Sequence, residues 1–522
     1  MISAIGTLTT SLRLIINIRM LLLGIDIGTS SVKVSVVDAV SQKTLASAQY
    51  PDTESPIISL QLGWAEQSPD MWWEQTQQAI QRCHAKGGYN PADIAAIGIA
   101  YQMHGLVLVD KNQQVLRNSI IWCDSRAVEY GDKAFDAIGH EKSLSHLLNS
   151  PGNFTAAKLA WVKANEPELY AQIDKIMLPG DFIAMKLTGE ITTSKSALSE
   201  GIFYDFKENG LSEDVMRFFG FDDALIPTVN ELFSSHGVLT AEVAGSLQLK
   251  AGIPVAYKAG DQPNNALSLN VLNPGEVAAT AGTSGVIYGV SDQLAYDQQS
   301  RVNTFAHVNH TGDQKRLGIL LCINGTGSLN RWAKNLFGSN ISYQEMNQLA
   351  KQVPEGSNGL RILPFGNGAE RMLNNKLVGV HFHHIDLNLH TQAHIFRAVQ
   401  EGIACAFRYG LDIMRENGMQ PSVIRAGKAN LFLSDLFAQS FVNATGVPVE
   451  LYNNDGSVGA ALGAGIGAGI FKSAEEAFVG MEKIQVIEPE ANHKFEQVYQ
   501  EWKILLEKQL IAEEAIEEAS RG

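Results

Sequence analysis

Gly28-Thr29-Ser30-Ser31-Val32-Lys33-Val34-Ser35-Val36-Val37-Asp38 is a glycine turn that opens an apolar run, and the chain writes it twice. The second copy is Gly282-Thr283-Ser284-Gly285-Val286-Ile287-Tyr288-Gly289-Val290-Ser291-Asp292, identical at six of eleven positions. Each copy follows another apolar run, so each reads as a turn between two strands. A Gly-Thr turn of this kind presents backbone N–H groups and a hydroxyl, a donor set suited to phosphate oxygens. One turn in each half of the chain predicts a duplicated α/β fold whose halves close on a nucleotide phosphate tail from both sides.

The 522 residues suffice for two or three domains with substantial cores. A net charge of -15 argues against nucleic acid or an anionic membrane as the main partner. An anion can still bind in a local cleft, where backbone amides and bound Mg²⁺ supply positive potential. No apolar run reaches membrane-spanning length. Cys83, Cys123, Cys322 and Cys405 stand far apart with no CxxC pair, and read as reduced core thiols of a cytoplasmic protein. Residues 1–19 carry Leu12, Leu14, Ile15, Ile16 and Ile18, broken by Arg13 and Arg19, with no small-residue cleavage site after them. They read as a leader ahead of Met20, either disordered or a product of start-site choice.

Strand-like and helix-like patterns alternate with no low-complexity linker, which selects α/β architecture. Strands are expected over 21–27, 32–38, 94–101, 106–110 and 422–426. Helices are expected from about residue 69 and over 156–165, 394–417 and 434–445. Residues 454–464 read as a loop opening a helix rich in Gly and Ala, which either packs tightly or lines a nucleotide cleft. The tail over 494–518 reads as an acidic amphipathic helix forming a solvated cap.

Asp26 ends the first strand beside the first turn, where a carboxylate can hold Mg²⁺ directly or through water, or cap the turn. Asp261, in Lys258-Ala259-Gly260-Asp261-Gln262-Pro263-Asn264, follows an apolar strand at the seam between the halves. Phosphoryl transfer to an alcohol needs a group that accepts the hydroxyl proton, and Asp261 is the candidate; a turn former or helix N-cap is the alternative. Gln102-Met103-His104-Gly105 follows the strand over 94–101, and its mixed polarity suits a polyol or sugar. A lone His is as readily structural, and the Met more readily core.

These segments belong to a longer ordered series: GIDIGTSSVKV (24–34), GWAEQSPDMWW (63–73), GIAYQMHG (98–105), IIWCDSRA (120–127), FTAAKLAWV (154–162), LPGDFIAMKLTGE (178–190), AGDQPNNA (259–266), AGTSGV (281–286) and DGSVGAALGA (455–464). In that order and spacing the chain resembles the FGGY family of carbohydrate kinases from residue 21 to about 469. QMHG and FTAAKLAWV make it most similar to the xylulokinases within that family, rather than to the glycerol kinases. The resemblance implies two duplicated ribonuclease-H-like domains of the actin and hexokinase type, with an active-site cleft between them. Residues 20–262 would form the N-terminal FGGY-type domain, with the sugar site and the first phosphate hairpin. Residues 263–522 would form the C-terminal FGGY-type domain, which binds nucleotide and ends in a helix.

The activity implied is ATP-dependent phosphorylation of a ketopentose, D-xylulose giving D-xylulose 5-phosphate, with ATP and Mg²⁺ as cofactors. The partners implied are the sugar and ATP, and family habit is a homodimer. Residue by residue, Asp261 matches the general base and Asp26 the acidic residue near Mg²⁺ and the phosphates. Gly28, Thr29, Gly282 and Thr283 match the two phosphate hairpins. Met103 and His104, with Asp261 and Gln262, match sugar contacts, and Gly327, Gly427 and Asn430 match positions around the nucleotide. The chain also departs from the family pattern. Gln262 stands where many members carry Asn, and residues 425–434 keep one glycine where a triplet is usual. Met372-Leu373 replace the usual Thr-Pro, and extra residues including His381, His383 and His384 follow Gly379-Val380. A metal at those histidines lacks Cys or carboxylate support at ligand spacing.

Three rival readings stay open on the sequence. One is an FGGY kinase of ribulose, gluconate, rhamnulose or glycerol. Another is an actin- or chaperone-like ATPase switch, which leaves residues 102–105 unexplained. The third is a sugar-binding regulatory protein without catalysis.

Overall fold

Each Gly-Thr turn is the bend of a β-hairpin in the computed structural model, which describes residues 19–491 and 494–521. The leader expectation for residues 1–18 lies outside the described residues. The first sheet contains β1 (Leu21–Ile27), β2 (Val32–Asp38), β3 (Thr44–Tyr50), β4 (Ile94–Tyr101) and β5 (Val255–Gly260), in the order β5-β4-β1-β2-β3. The second contains β6 (Glu276–Ala281), β7 (Gly285–Ser291), β8 (Asn303–Ala306), β9 (Leu317–Ile323), β10 (Val423–Gly427), β11 (Val449–Tyr452) and β12 (Lys483–Ile487), in the order β8-β9-β7-β6-β10-β11-β12.

The two sheets repeat one plan. β1 pairs antiparallel with β2 and parallel with β4, while β6 pairs antiparallel with β7 and parallel with β10. The run β3-β2-β1-β4-β5 therefore recurs as β9-β7-β6-β10-β11, a duplicated ribonuclease-H-like fold of the actin and hexokinase type.

β1 is apolar and almost wholly buried, so both faces of its sheet need a cover. One cover is α1 (Pro69–Lys86), which starts at the Ser68 cap and buries Trp72, Thr76, Ile80 and Cys83 at helical spacing. Further along the chain, α2 (Thr155–Asn165) reaches the His104 carbonyl through Lys158 and α3 (Asp261–Ser268) follows β5. The second half adds α4 (Gly327–Phe337), α5 (Gln392–Glu416), α6 (Asp435–Thr445), α7 (Gly456–Gly467) and α8 (Phe495–Arg521).

The other face of the first sheet is covered by α7, although its sequence lies among elements of the second half. A Cβ on Gly24 of β1 would fall 1.7 Å from the Ser457 carbonyl oxygen, and one on Gly98 of β4 would fall 1.9 Å from that of Ala460. α7 thus rests backbone against backbone on the sheet, which only glycine at both places permits.

Two expectations change. α8 is not a solvated cap: Tyr499, Trp502 and Leu506 are buried in the second core, and Trp502 Nε1 donates to the Ile362 carbonyl at 2.8 Å. Its apolar residues repeat at three- and four-residue spacing, so one face is core while the charges face out. All four cysteines are free, but only Cys83 and Cys405 are core thiols; Cys123 and Cys322 are exposed.

Replacing Gly24 with Ala forces its Cβ into main-chain atoms that have nowhere to go. We expect a loss of about 3 kcal/mol or more, read as a shift of the urea midpoint. Gly245→Ala, on a helix with nothing near its Cβ, should instead hold or raise stability. Equal effects of the two changes would refute the close seating of α7.

Candidate active site

β5 ends at Gly260, and Asp261 begins α3, so the carboxyl sits in a first helical turn whose N–H groups and dipole face it. Asp26 comes from β1 and Asp455 from the cap of α7. A Cβ on Gly456 would lie 2.3 Å from Asp26 Oδ2, and Asn264 Nδ2 of α3 donates to the Gly456 carbonyl at 2.9 Å. Three elements far apart in sequence therefore bring three carboxylates together, each partly exposed. Burial, then the charge of Asp26, pushes the Asp261 carboxyl up to about 7, against donors from Gln262. Burial, then Asp455, pushes Asp26 up to about 6. Burial also raises Asp455, but its ion pair with Lys33 and its hydrogen bonds from Ser457 win, and hold it below the usual carboxylate range.

Carboxylates crowded this way form a site that a cation relieves. The donors are oxygens, and among the described residues no group of three or more His, Cys, Asp or Glu is placed to hold a metal ion. That suits an ion such as Mg²⁺ held by one or two carboxylates together with phosphate and water.

The residues expected to meet sugar follow the end of β4. Met103 is buried against Gly260, where a Cβ would fall 2.6 Å from its Cγ. His104 takes a left-handed backbone, φ 63°, and its N–H donates to Glu200 Oε1 at 3.1 Å. Its carbonyl accepts from Lys158 Nζ at 2.9 Å, and its ring lies edge-on to Phe154 and tilted to Phe305 of β8. Burial, then Lys158, lowers the imidazole to about 3, so it is neutral at physiological pH. With Nδ1 on the Glu200 carbonyl at 3.1 Å, Nε2 is left as an acceptor suited to a hydroxyl.

The two Gly-Thr turns have different neighbours. Thr29 Oγ1 lies between Gln102 Oε1 at 3.3 Å and Trp122 Nε1 at 3.0 Å. In the second turn, Gly282 and Thr283 accept through their carbonyls from Gly327 and Ser328 at 2.9 and 3.0 Å. Gly282, Thr283, Gly327 and Asn430 line one cavity of about 360 Å³, with Asn330, Arg331 and Ser434. Gly427 is not among them: it lines a separate cavity of about 440 Å³ with Lys428, Asn454 and Asp455. The chain turns sharply after β10, carrying Asn430 towards the hairpin and leaving Gly427 against Asn454.

Comparison with known proteins decides the family. The chain matches the model of the FGGY family of carbohydrate kinases, N-terminal domain, over residues 21–268, and that of the C-terminal domain over residues 277–469. It belongs to the FGGY family of carbohydrate kinases. The FGGY kinase is 31% identical to the xylulose kinase of Haemophilus influenzae over 77% of its own chain and 81% of that protein. It is 30% identical to the xylulose kinase of Bacillus subtilis, over 87% of this chain and 89% of that one. Its fold matches the crystal structure of xylulose kinase from Rhodospirillum rubrum with a TM-score of 0.85 at 25% identity, covering 95% of this chain and all of that one. Among the described residues, no helix of the kinase is long and apolar enough to cross a membrane.

Sequence reasoning missed Glu200, Lys158 and Arg331. Glu200 is buried beside Asp261, and burial holds its carboxyl well above the ordinary range. Lys158, in the FTAAKLAWV segment, is fully buried, and burial lowers it to about 7. A charged residue inside an otherwise apolar helix face was the available signal for Lys158; Arg331 follows Gly327 by one helical turn.

The raised Asp261 carboxyl has a thermodynamic consequence. Its folded value of about 7 lies above the ordinary 3.8, so the folded state holds the extra proton between those values. Stability from this group falls as pH rises from about 4 to about 7 and is flat above. In the protein free of nucleotide and metal, Asp261→Asn should therefore raise the melting temperature, by a margin that grows over that window. A gain independent of pH would contradict the assignment.

Proposed function

We propose that this carbohydrate kinase transfers the γ-phosphoryl group of ATP to the 5-hydroxyl of D-xylulose, with Asp261 as general base. The observation that carries this reading is the Asp261 carboxyl at the start of α3, beside Asp26 and Glu200, with its proton held near neutral pH. The names of the bacterial relatives support the substrate.

In this reading the hydroxyl donates to the Asp261 carboxylate as its oxygen attacks the γ-phosphorus. The bond from phosphorus to the bridging oxygen of ADP breaks, and the proton stays on Asp261. Neutral His104 accepts from a sugar hydroxyl through Nε2, with Met103 packing behind it. The amides of the turns at Gly28–Thr29 and Gly282–Thr283 hold phosphate oxygens from the two halves. Gly327 lets α4 approach the second turn, since a Cβ there would fall 2.2 Å from the Gly282 carbonyl oxygen. A Mg²⁺ ion held by Asp26 would supply charge neutralisation at the phosphates. Asn430 lies at the nucleotide end, and Gln262, next to the base, contacts the sugar. Four free thiols, two of them exposed, fit the reducing cytoplasm.

ADP release across ketopentoses, polyols and aldonates at equal concentration should give the highest kcat/KM on D-xylulose; a clear preference for another acceptor would replace the substrate. Asp261→Asn should lower kcat by about 10²–10⁴-fold while calorimetry still detects sugar binding. The base works only when deprotonated, so kcat/KM should fall below about pH 7, with a slope of one on the acid side. Near-normal turnover by the Asn variant would remove Asp261 from the role.

A further inference from the structure

Most cations around the sugar segment already have acceptors. Lys33 pairs with Asp455, and Lys258 with Asp181 at 2.6 Å. Arg126 pairs with Asp124 and Glu66, both at 2.7 Å, and Lys158 donates to the His104 carbonyl at 2.9 Å. Arg371 is different. It is partly buried, yet among the described residues its guanidinium makes no ion pair and no hydrogen bond.

Its position is fixed by its neighbours. Glu370 is fully buried and accepts from the N–H groups of Asn324 at 2.9 Å and Gly325 at 3.2 Å. That loop joins β9 to α4, whose Gly327 donates to the Gly282 carbonyl at 2.9 Å. β9 pairs with β7 so that Cys322 faces Val286 and Ile323 faces Gly285. Arg371 therefore stands at the end of β9, one strand from the second phosphate turn. Its charge acts on Cys322 beside it and on His104, which belongs to the first half. Cys322 in turn feels the charge of Asp261. Arg371 thus lies between the second phosphate turn and the His104 segment of the first half.

The rest of this floor is acidic, with Asp26, Asp261, Glu200 and Asp455. A phosphoryl group crossing it carries negative charge on its equatorial oxygens, and a planar fork of N–H donors with no acceptor of its own matches them. We propose that Arg371 is a catalytic residue that contacts the phosphoryl group in transit and the phosphate of the sugar product. The proposal rests on the phosphotransfer reading above; the proton still goes to Asp261 and ADP still leaves.

The test is steady-state kinetics of Arg371→Ala and Arg371→Lys, with melting temperatures to show that both variants fold. We expect Arg371→Ala to lose about 10²–10³-fold in kcat, with KM for ATP and sugar within about threefold of the parent. Arg371→Lys should recover part of the loss. Guanidinium chloride at millimolar concentration should restore turnover to the Ala variant, which a merely structural residue would not allow. A kcat within about threefold of the parent, or a loss that neither Lys nor guanidinium repairs, overturns the proposal. The variants are scored on whichever acceptor the parent enzyme phosphorylates fastest, so failure of D-xylulose as substrate leaves the Arg371 result standing.

Discussion

The seating of α7 on β1 and β4 is the contact on which the remaining geometry depends. Where Gly24 and Gly98 meet the main chain of α7, no side chain intervenes that repacking could adjust. The helix N-terminus is therefore delivered to a fixed place at the end of β1. There Ser457 Oγ meets Ser35 Oγ at 2.7 Å, and Asp455 pairs with Lys33. Asn264 adds α3 to the same junction. The carboxylates of the site are neighbours because three backbones are locked together, rather than because their side chains attract.

That enforced proximity sets the electrostatics. Burial first, and the neighbouring like charges after it, raise the carboxyl values of Asp26, Asp261 and Glu200. A structure selected for stability alone would place amides there. The cost is useful in a phosphotransferase, since a carboxylate near neutrality both accepts and releases a proton at physiological pH. The same burial that raises the acids lowers His104 and Lys158. His104 thus stays uncharged and offers an acceptor at Nε2.

The duplication was legible in two short turns because a turn between antiparallel strands is a local feature, written in adjacent residues. From it follow the hairpins and the matching strand orders. Asp26, Asp261 and the small-residue helix were readable for the same reason. What the sequence hid is non-local. Gly24 and Gly98 look like ordinary strand glycines, and only the fold shows that each accommodates a carbonyl of α7. Gly427 sits one short turn from Asn430, yet the kink after β10 sends the two to different cavities. Glu200 and Lys158 carry no turn or motif chemistry of their own. They matter because His104 bonds to both across a large gap in the chain.

The two copies of the Gly-Thr turn have also diverged in a way that assigns them different work. In the first, the Thr29 hydroxyl is held by Gln102 and Trp122 and its carbonyl accepts from Gln67, so this turn is tied to the segment expected to meet sugar. In the second, the carbonyls of Gly282 and Thr283 are tied to the start of α4, and the turn opens into a cavity. A shift of α4 or of the 370–371 turn thus reaches the second hairpin directly, and the first only through the cleft. Each turn is thus fastened to a different wall, the first to residues 67, 102 and 122 and the second to the start of α4.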